Sequence, residues 1–537
     1  MFNANFAVYD YIIVGLYMLV IIGAGYWFSR RSKKTAEGYF LADKSLPWWA
    51  VGASLIAANI SAEQFIGMSG SGFKVGLAIA SYEFMAALTL IIVGKYFLPI
   101  FITKKIYTIP EFVEKRFSTN LRTILAVFWI GLFVFVNLTS VLFLGAKAID
   151  VIVGLGNGQL VLPIMIFLAF IAAAYSIYGG LSAVAWTDVI QVVLLVIGGV
   201  LTTLFALDKV LPDGGVIAGL KHVWQAAPDK FHMILDNKNP EFSRLPGIAV
   251  LIGGLWVANL YYWGFNQYII QRTLAAKSLP EAQKGIVFAG FLKLIIPLIV
   301  VIPGIVAYVM YTEHFAGAAE TLQGVGGGDK AYPWLISTLI PVGLKGLVVA
   351  ALIAAIVSSL ASMVNSASTI FTMDIYRHYV NKEASHRRLV TVGRLTALAA
   401  LVIACVVAPA MKSFDQMFIY IQEYTGLVSP GILAVFLMGL FWKKATNRAA
   451  IIGALVSIPV ALALKFLPID MPFMDQMMYT CLITIGTIVL VSLSSSKGGD
   501  DEKGITFSDG LFKTSRAFNI SAYVICILLA VIYVVFW

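Results

Sequence analysis

The chain has 537 residues, of which 60% are hydrophobic and only 12% charged. An average soluble domain is about one-quarter charged; the deficit excludes an ordinary soluble fold, because charge is scarce where side chains face lipid or other apolar helices. The net charge of +10 raises the question of a polyanionic partner, and the placement of the basic residues answers it.

The first apolar run, 8–29, is long enough to cross a bilayer, which takes roughly 20 residues, and it lacks the basic leader of a cleavable signal. Further spans are expected at 47–70, 76–103, 121–150, 160–178, 183–207, 245–268, 283–311, 333–373, 390–411, 414–441, 447–466, 472–495 and 517–537, fourteen in all. The run at 333–373 is too long for one crossing and is expected to open with a short surface helix. Two spans in different halves are interrupted by small and polar residues. One reads Ala57-Ala58-Asn59-Ile60-Ser61; the other reads Gly253-Gly254, then Asn259 and Gly264. Paired interruptions of this kind point to the binding site of an inverted-repeat transporter.

If the loop after the first span is cytoplasmic, alternate loops hold 25 of the 38 Lys and Arg residues. Examples are Lys33 and Lys34, Lys104 and Lys105, Arg387 and Arg388, and Lys497. That is the positive-inside pattern, and it places both termini outside. The basic balance is a topology signal and not a nucleic-acid surface. Cys405, Cys481 and Cys526 lie in apolar runs and give no disulfide framework. No CxxC, HExxH or GxxxxGKS string occurs, so metal hydrolysis and ATP-driven pumping lack support and the chain is not read as an enzyme.

Ionisable and amide groups inside spans are the informative exceptions: Glu63, Gln64, Glu83, Asp188, Asn259, Lys293, Gln422 and Glu423. Such groups pair or face a cavity. Singly, any of them can be glue between helices; together they suit a polar cavity. Glu83 and Lys293 can neutralise each other. Asn259, Tyr262 and Trp263 fall at i, i+3, i+4 on one helical face, and Tyr82 adjoins Glu83. Amides supply donors and acceptors, and rings cover apolar sugar faces, so the set suits a neutral polyhydroxyl solute. A second group, Ala355, Ser358 and Ser359, again at i, i+3, i+4, joins Ala57 and Ile60 at the first interruption. Free carbonyls and hydroxyls suit a sodium ion, although Ser in a helix often bonds to its own backbone.

Several long strings resemble the sodium:solute symporter family, and within it the bacterial sodium/galactose members. They include AANISAEQFIGMSGSG (57–72), ASYEF (80–84), YSIYGGLSAVAWTDVIQV (175–192), GGLWVANLYYWGFNQYIIQRTLAAK (253–277), AAIVSSLASM (354–363) and QEYTGLVSPGILAVF (422–436). The resemblance implies an all-α membrane protein of about fourteen transmembrane helices, a leucine-transporter-type 5+5 inverted repeat with flanking helices. Residues 1–46 would hold the first flanking helix, 47–244 the first repeat with a long outer loop, 245–441 the second repeat, and 442–537 three further helices. By resemblance, Gln64, Glu83, Asn259, Lys293 and Gln422 contact the sugar. Met68, Tyr82 and Phe418 match the outer gate, and Tyr262, with Trp263 beside it, the inner gate. Ala57, Ile60, Ala355, Ser358 and Ser359 match the sodium site, the first three through carbonyls, and Asp188 a position linked to sodium exit. Ala86 departs from the Ser of close sugar-transporting members, which removes one hydroxyl contact.

The expectation is a symporter of the bacterial inner membrane that imports a monosaccharide such as galactose or glucose with co-transported sodium, by alternating access. The rivals are the same machine carrying a polyol or sialic acid and, in a different class, a channel, for which no selectivity-filter motif is found.

Overall fold

The computed structural model describes residues 6–31, 36–106, 108–153, 158–323, 327–413, 416–467, 471–495 and 499–537. Of the residues named above, Lys33, Lys34 and Lys497 lie outside the described residues. Among those described, the regular structure is helical, and pairing of the strand type is confined to one isolated bridge between Leu46 and Ala276. Among the described residues, ten helices are long and apolar enough to cross a membrane, and an eleventh is reached if Met417–Gly426 and Ser429–Phe441, bent by 48°, count as one. The protein is an integral membrane protein: with no water in the bilayer core, helices that satisfy their own backbone are the form such apolar segments take.

The three remaining apolar segments are broken or short, each for a local reason. The 47–70 segment forms Trp48–Asn59 and then opens at Ile60 into an extended residue. The 245–268 segment breaks at Gly253, between Ala249–Ile252 and Gly254–Phe265. The apolar helix Val161–Ala174 runs toward Gly180, whose φ of +56° parts it from the helix that follows. A side chain at Gly180 would also meet the Tyr39 carbonyl, so both the backbone angle and the space require glycine there.

Helix starts are set by side chains. Thr108, Ser118, Ser385, Thr446 and Ser515 each accept a hydrogen bond from the backbone amide three residues on, a cap worth about 1 kcal/mol. Arg116 closes the end of Ser429–Phe441: its guanidinium donates to the carbonyls of Gly439, Trp442, Lys443 and Ala445 and pairs with Asp501 at 3.2 Å.

Burial sorts the helices into a centre and a belt. The most apolar window of Leu344–Val380 is 94% buried, that of Arg516–Val535 only 17%. Ile527, Leu490 and Val406 are exposed on the outer helices, where lipid replaces protein as the apolar neighbour. The short helix expected at the surface before the long run is present as Ala331–Leu339, but it is not at the surface. Tyr332, Trp334 and Leu335 are buried, because this helix is apolar almost all round and packs into the bundle.

Candidate functional site

The two broken segments position the site. Trp48–Asn59 and Gly254–Phe265 are both 12 residues long, and each ends on a residue with extended backbone, Ile60 (ψ 102°) and Asn266 (ψ 122°). The second segment therefore has a further break at Asn266, whereas Asn259 and Gly264 continue the helix. At the first break the amides that would close the helical turns go elsewhere. Ser61 N donates to Gln64 Oε1 at 3.0 Å, Glu63 N to Ser61 Oγ at 3.0 Å, and Gln64 N to Ser61 O at 3.2 Å. The carbonyls of Ala57, Asn59 and Ile60 thereby lose their i+4 donors and become available to other ligands.

Beside this break lies a cavity. Gln64, Glu83, Asn259, Lys293 and Gln422 all line it, with Tyr82, Phe418, Tyr262 and Trp263. The residues come from five separate helices and meet at one point. Lys293 Nζ is 2.5 Å from Glu83 Oε2 and also donates to Asn59 Oδ1; it stands 5.0 Å over the Trp263 ring. Lys293 is fully buried and Glu83 nearly so, and an ammonium and a carboxylate removed from water in this way need each other. Asn259 spends its amide nitrogen on the Leu255 carbonyl of its own helix (3.1 Å), and Gln64 spends its oxygen on Ser61. Glu423, also expected among the polar groups of the spans, pairs instead with Lys465 at 2.8 Å.

Two aromatic contacts adjoin the cavity. Tyr82 and Phe418 meet edge to face, their centroids 5.1 Å apart, and Gly67 allows Phe418 to sit directly on the Glu63–Met68 turn. Met68, expected with them, is fully buried and is not among the residues that line the cavity. In the second, the Tyr262 hydroxyl accepts from Asn59 Nδ2 at 3.0 Å and from the Tyr268 hydroxyl at 2.7 Å.

The residues expected to serve a cation also converge. Ala57, Ile60, Ala355, Ser358 and Ser359 are all fully buried. Ser359 Oγ donates to the Ala58 carbonyl at 3.1 Å, which ties Leu344–Ile370 to the first break. Ser358 Oγ donates to Asp188 Oδ1 at 2.6 Å, Ser54 Oγ to Asp188 Oδ2 at 2.5 Å, and Arg272 reaches the same oxygen at 3.2 Å. Arg272 also donates to Ser362 Oγ and to the Ser54 carbonyl. Carbonyls and the hydroxyls of Ser358 and Ser359 are oxygen ligands of the kind a hard monovalent cation takes, while the Asp188 carboxylate beside them is already paired with the Arg272 guanidinium.

Residues 39–457 match the model of the sodium:solute symporter family. The chain belongs to that family. It is 62% identical to a sodium/glucose cotransporter of Vibrio parahaemolyticus, over 98% of each chain. It is 35% identical to sodium/myo-inositol cotransporter 2 of Bos taurus, covering 87% of this chain and 72% of that one. Among solved structures, a substrate-bound, outward-open sodium-coupled sialic acid symporter superposes with a TM-score of 0.80 at 24% identity, covering 93% of this chain and all of that one; this likeness establishes the fold. As a member of this family the chain is a sodium-coupled symporter, a transporter and not an enzyme.

Sequence reasoning assigned no role to four groups that the symporter fold draws into the site. Asn59 was legible only as part of an interrupted span, and its contacts with Lys293 and Tyr262 lie more than 200 residues away. Ser54 and Arg272 reach Asp188 across 134 and 84 residues. Tyr268 lies beyond the break at Asn266, two residues after Gly264. Basic and polar residues in apolar segments were the available signal, and Arg272 carries it; its distance from the span centre hid it among the loop residues.

Proposed function

We propose that this symporter imports a monosaccharide such as galactose or glucose together with sodium, by alternating access. The observation that carries the reading is the Glu83–Lys293 pair, held by Asn59 and set against Trp263 and Tyr262 in one cavity. It offers hydroxyl donors and acceptors beside ring faces, and the overall neutrality of the pair suits an uncharged solute. The 62% identical relative is a sodium/glucose cotransporter, which supports the same substrate class. Gln64, Glu83, Asn259, Lys293 and Gln422 contact the sugar. Met68, Tyr82 and Phe418 close the outer side, and Tyr262 and Trp263 the inner side. Sodium binds at Ala57, Ile60 and Ala355 through carbonyls and at Ser358 and Ser359 through hydroxyls, and leaves past Asp188.

The chain crosses the membrane fourteen times in this reading: a flanking helix in 1–46, inverted repeats of five helices in 47–244 and 245–441, and three helices in 442–537. Both termini face the periplasm of a bacterial inner membrane. Inward sodium movement supplies roughly 2.3 kcal/mol per charge per 100 mV. Counterflow in proteoliposomes tests the proposal, using labelled galactose, glucose, myo-inositol and sialic acid with and without sodium. Sodium-stimulated, saturable exchange of a hexose is expected. Exchange of myo-inositol or sialic acid alone would assign another solute, and non-saturable flux would assign a channel.

A further inference from the structure

Glu63 lines the same cavity as the proposed sugar contacts, yet it has no place among them. Its residue is only 7% exposed, and its Oε1 has no hydrogen-bond partner among the described residues. Several donors in or beside the cavity are committed elsewhere. Lys293 holds Glu83 and Asn59, Asn59 Nδ2 holds Tyr262, and the Tyr268 hydroxyl holds Tyr262. Ser61, two residues back, gives its amide and hydroxyl to Gln64. A buried carboxyl oxygen left without a donor is costly, and such exceptions need a cause. Glu63 also opens a turn of π-helix, Glu63–Met68, immediately after the break; π turns of this kind recur at functional sites.

We infer that Glu63 is a further specificity-determining residue, whose carboxyl accepts a hydrogen bond from one hydroxyl of the bound sugar. The inference rests on the reading that the cavity holds a polyhydroxyl solute. What it adds is a reason for selectivity: a buried acceptor that only a correctly placed hydroxyl satisfies discriminates strongly against analogues that lack it. Ala86, which lines the same cavity, has no polar side-chain atom and cannot supply this hydrogen bond.

Equilibrium binding in saturating sodium tests this on purified wild type, Glu63→Gln and Glu63→Ala, with galactose, glucose and the set of monodeoxy analogues of each. Wild type should bind at least one of the two parent sugars; if it binds neither, the sugar reading itself fails. Glu63→Ala should bind that parent sugar about tenfold more weakly or worse. Glu63→Gln keeps an acceptor oxygen of the same shape and should lose less. The decisive feature is coupling: one deoxy analogue should bind poorly to wild type and lose nothing further in Glu63→Ala. Equal loss across all analogues, or unchanged binding in Glu63→Ala, overturns the assignment while leaving the sugar reading intact.

Discussion

Asn59 Nδ2 donates to the Tyr262 hydroxyl at 3.0 Å, so the residue at the break of one helix holds the aromatic wall carried by the other. The same Asn59 accepts from Lys293 through its oxygen. One amide thus joins Tyr262 to the buried Glu83–Lys293 pair. Movement of Tyr262 away from the cavity would have to release this bond, and a sugar bound at Lys293, as proposed, would act on the residue that makes it. In the proposed reading the gate and the binding site share this part, and Tyr262→Phe and Lys293→Ala perturb its two ends.

Tyr262→Phe removes only the hydroxyl that receives Asn59 and Tyr268 and keeps the ring. If the hydroxyl latches the gate, sodium-stimulated uptake falls while equilibrium sugar binding persists. Each lost bond of this kind contributes about 1 kcal/mol. Both quantities should be measured on the same purified variant. Uptake at the wild-type level would leave Tyr262 as a packing or stacking residue.

Lys293→Ala deletes the cation facing Glu83 and leaves Asn59 Oδ1 without its donor. Transport should drop by at least tenfold, on the order of 1.4 kcal/mol or more. Folding should survive, because water can enter a polar cavity where it cannot enter a packed core. Galactose and glucose uptake in proteoliposomes reads the effect, and normal uptake of either would count against the site.

Ser359→Ala takes away the hydroxyl that bridges to the Ala58 carbonyl and is proposed to meet sodium. The sodium concentration for half-maximal uptake should rise several-fold, with the affinity for sugar at saturating sodium little changed. A well-expressed variant with unaltered sodium dependence would remove Ser359 from the cation site.

Arg116→Met should destabilise the protein by about 3 kcal/mol. It uncovers four carbonyls at the end of Ser429–Phe441 and leaves Asp501 unpaired. Thermal unfolding in detergent measures this, with Arg116→Lys as a partial rescue: one ammonium cannot reach the groups that a planar fork of five donors serves.

Single cysteines placed at Lys382 and at Asp236, in a background without Cys405, Cys481 and Cys526, should react with an impermeant reagent from opposite sides of the membrane. Labelling from the same side would overturn the fourteen-crossing topology.

The sequence alone determined the class of molecule and the identity of most of the polar groups in the site. Charge is so unfavourable in an apolar segment that Glu83, Asp188 and Lys293 announce themselves wherever they stand, and helical spacing puts Asn259, Tyr262 and Trp263 on one face without any knowledge of neighbours. The interruption at Ile60 was legible because small and polar residues there weaken the helix locally. The tertiary structure decided what those groups do. It gave Lys293 to Glu83 and Asn59 and brought Ser54, Ser358 and Arg272 around Asp188. It also buried Ala331–Leu339, the short helix expected at the surface. These pairings depend on which helices become neighbours, and that is settled by the packing of the whole bundle, so residues 84 to 234 positions apart meet in contacts that no local pattern encodes.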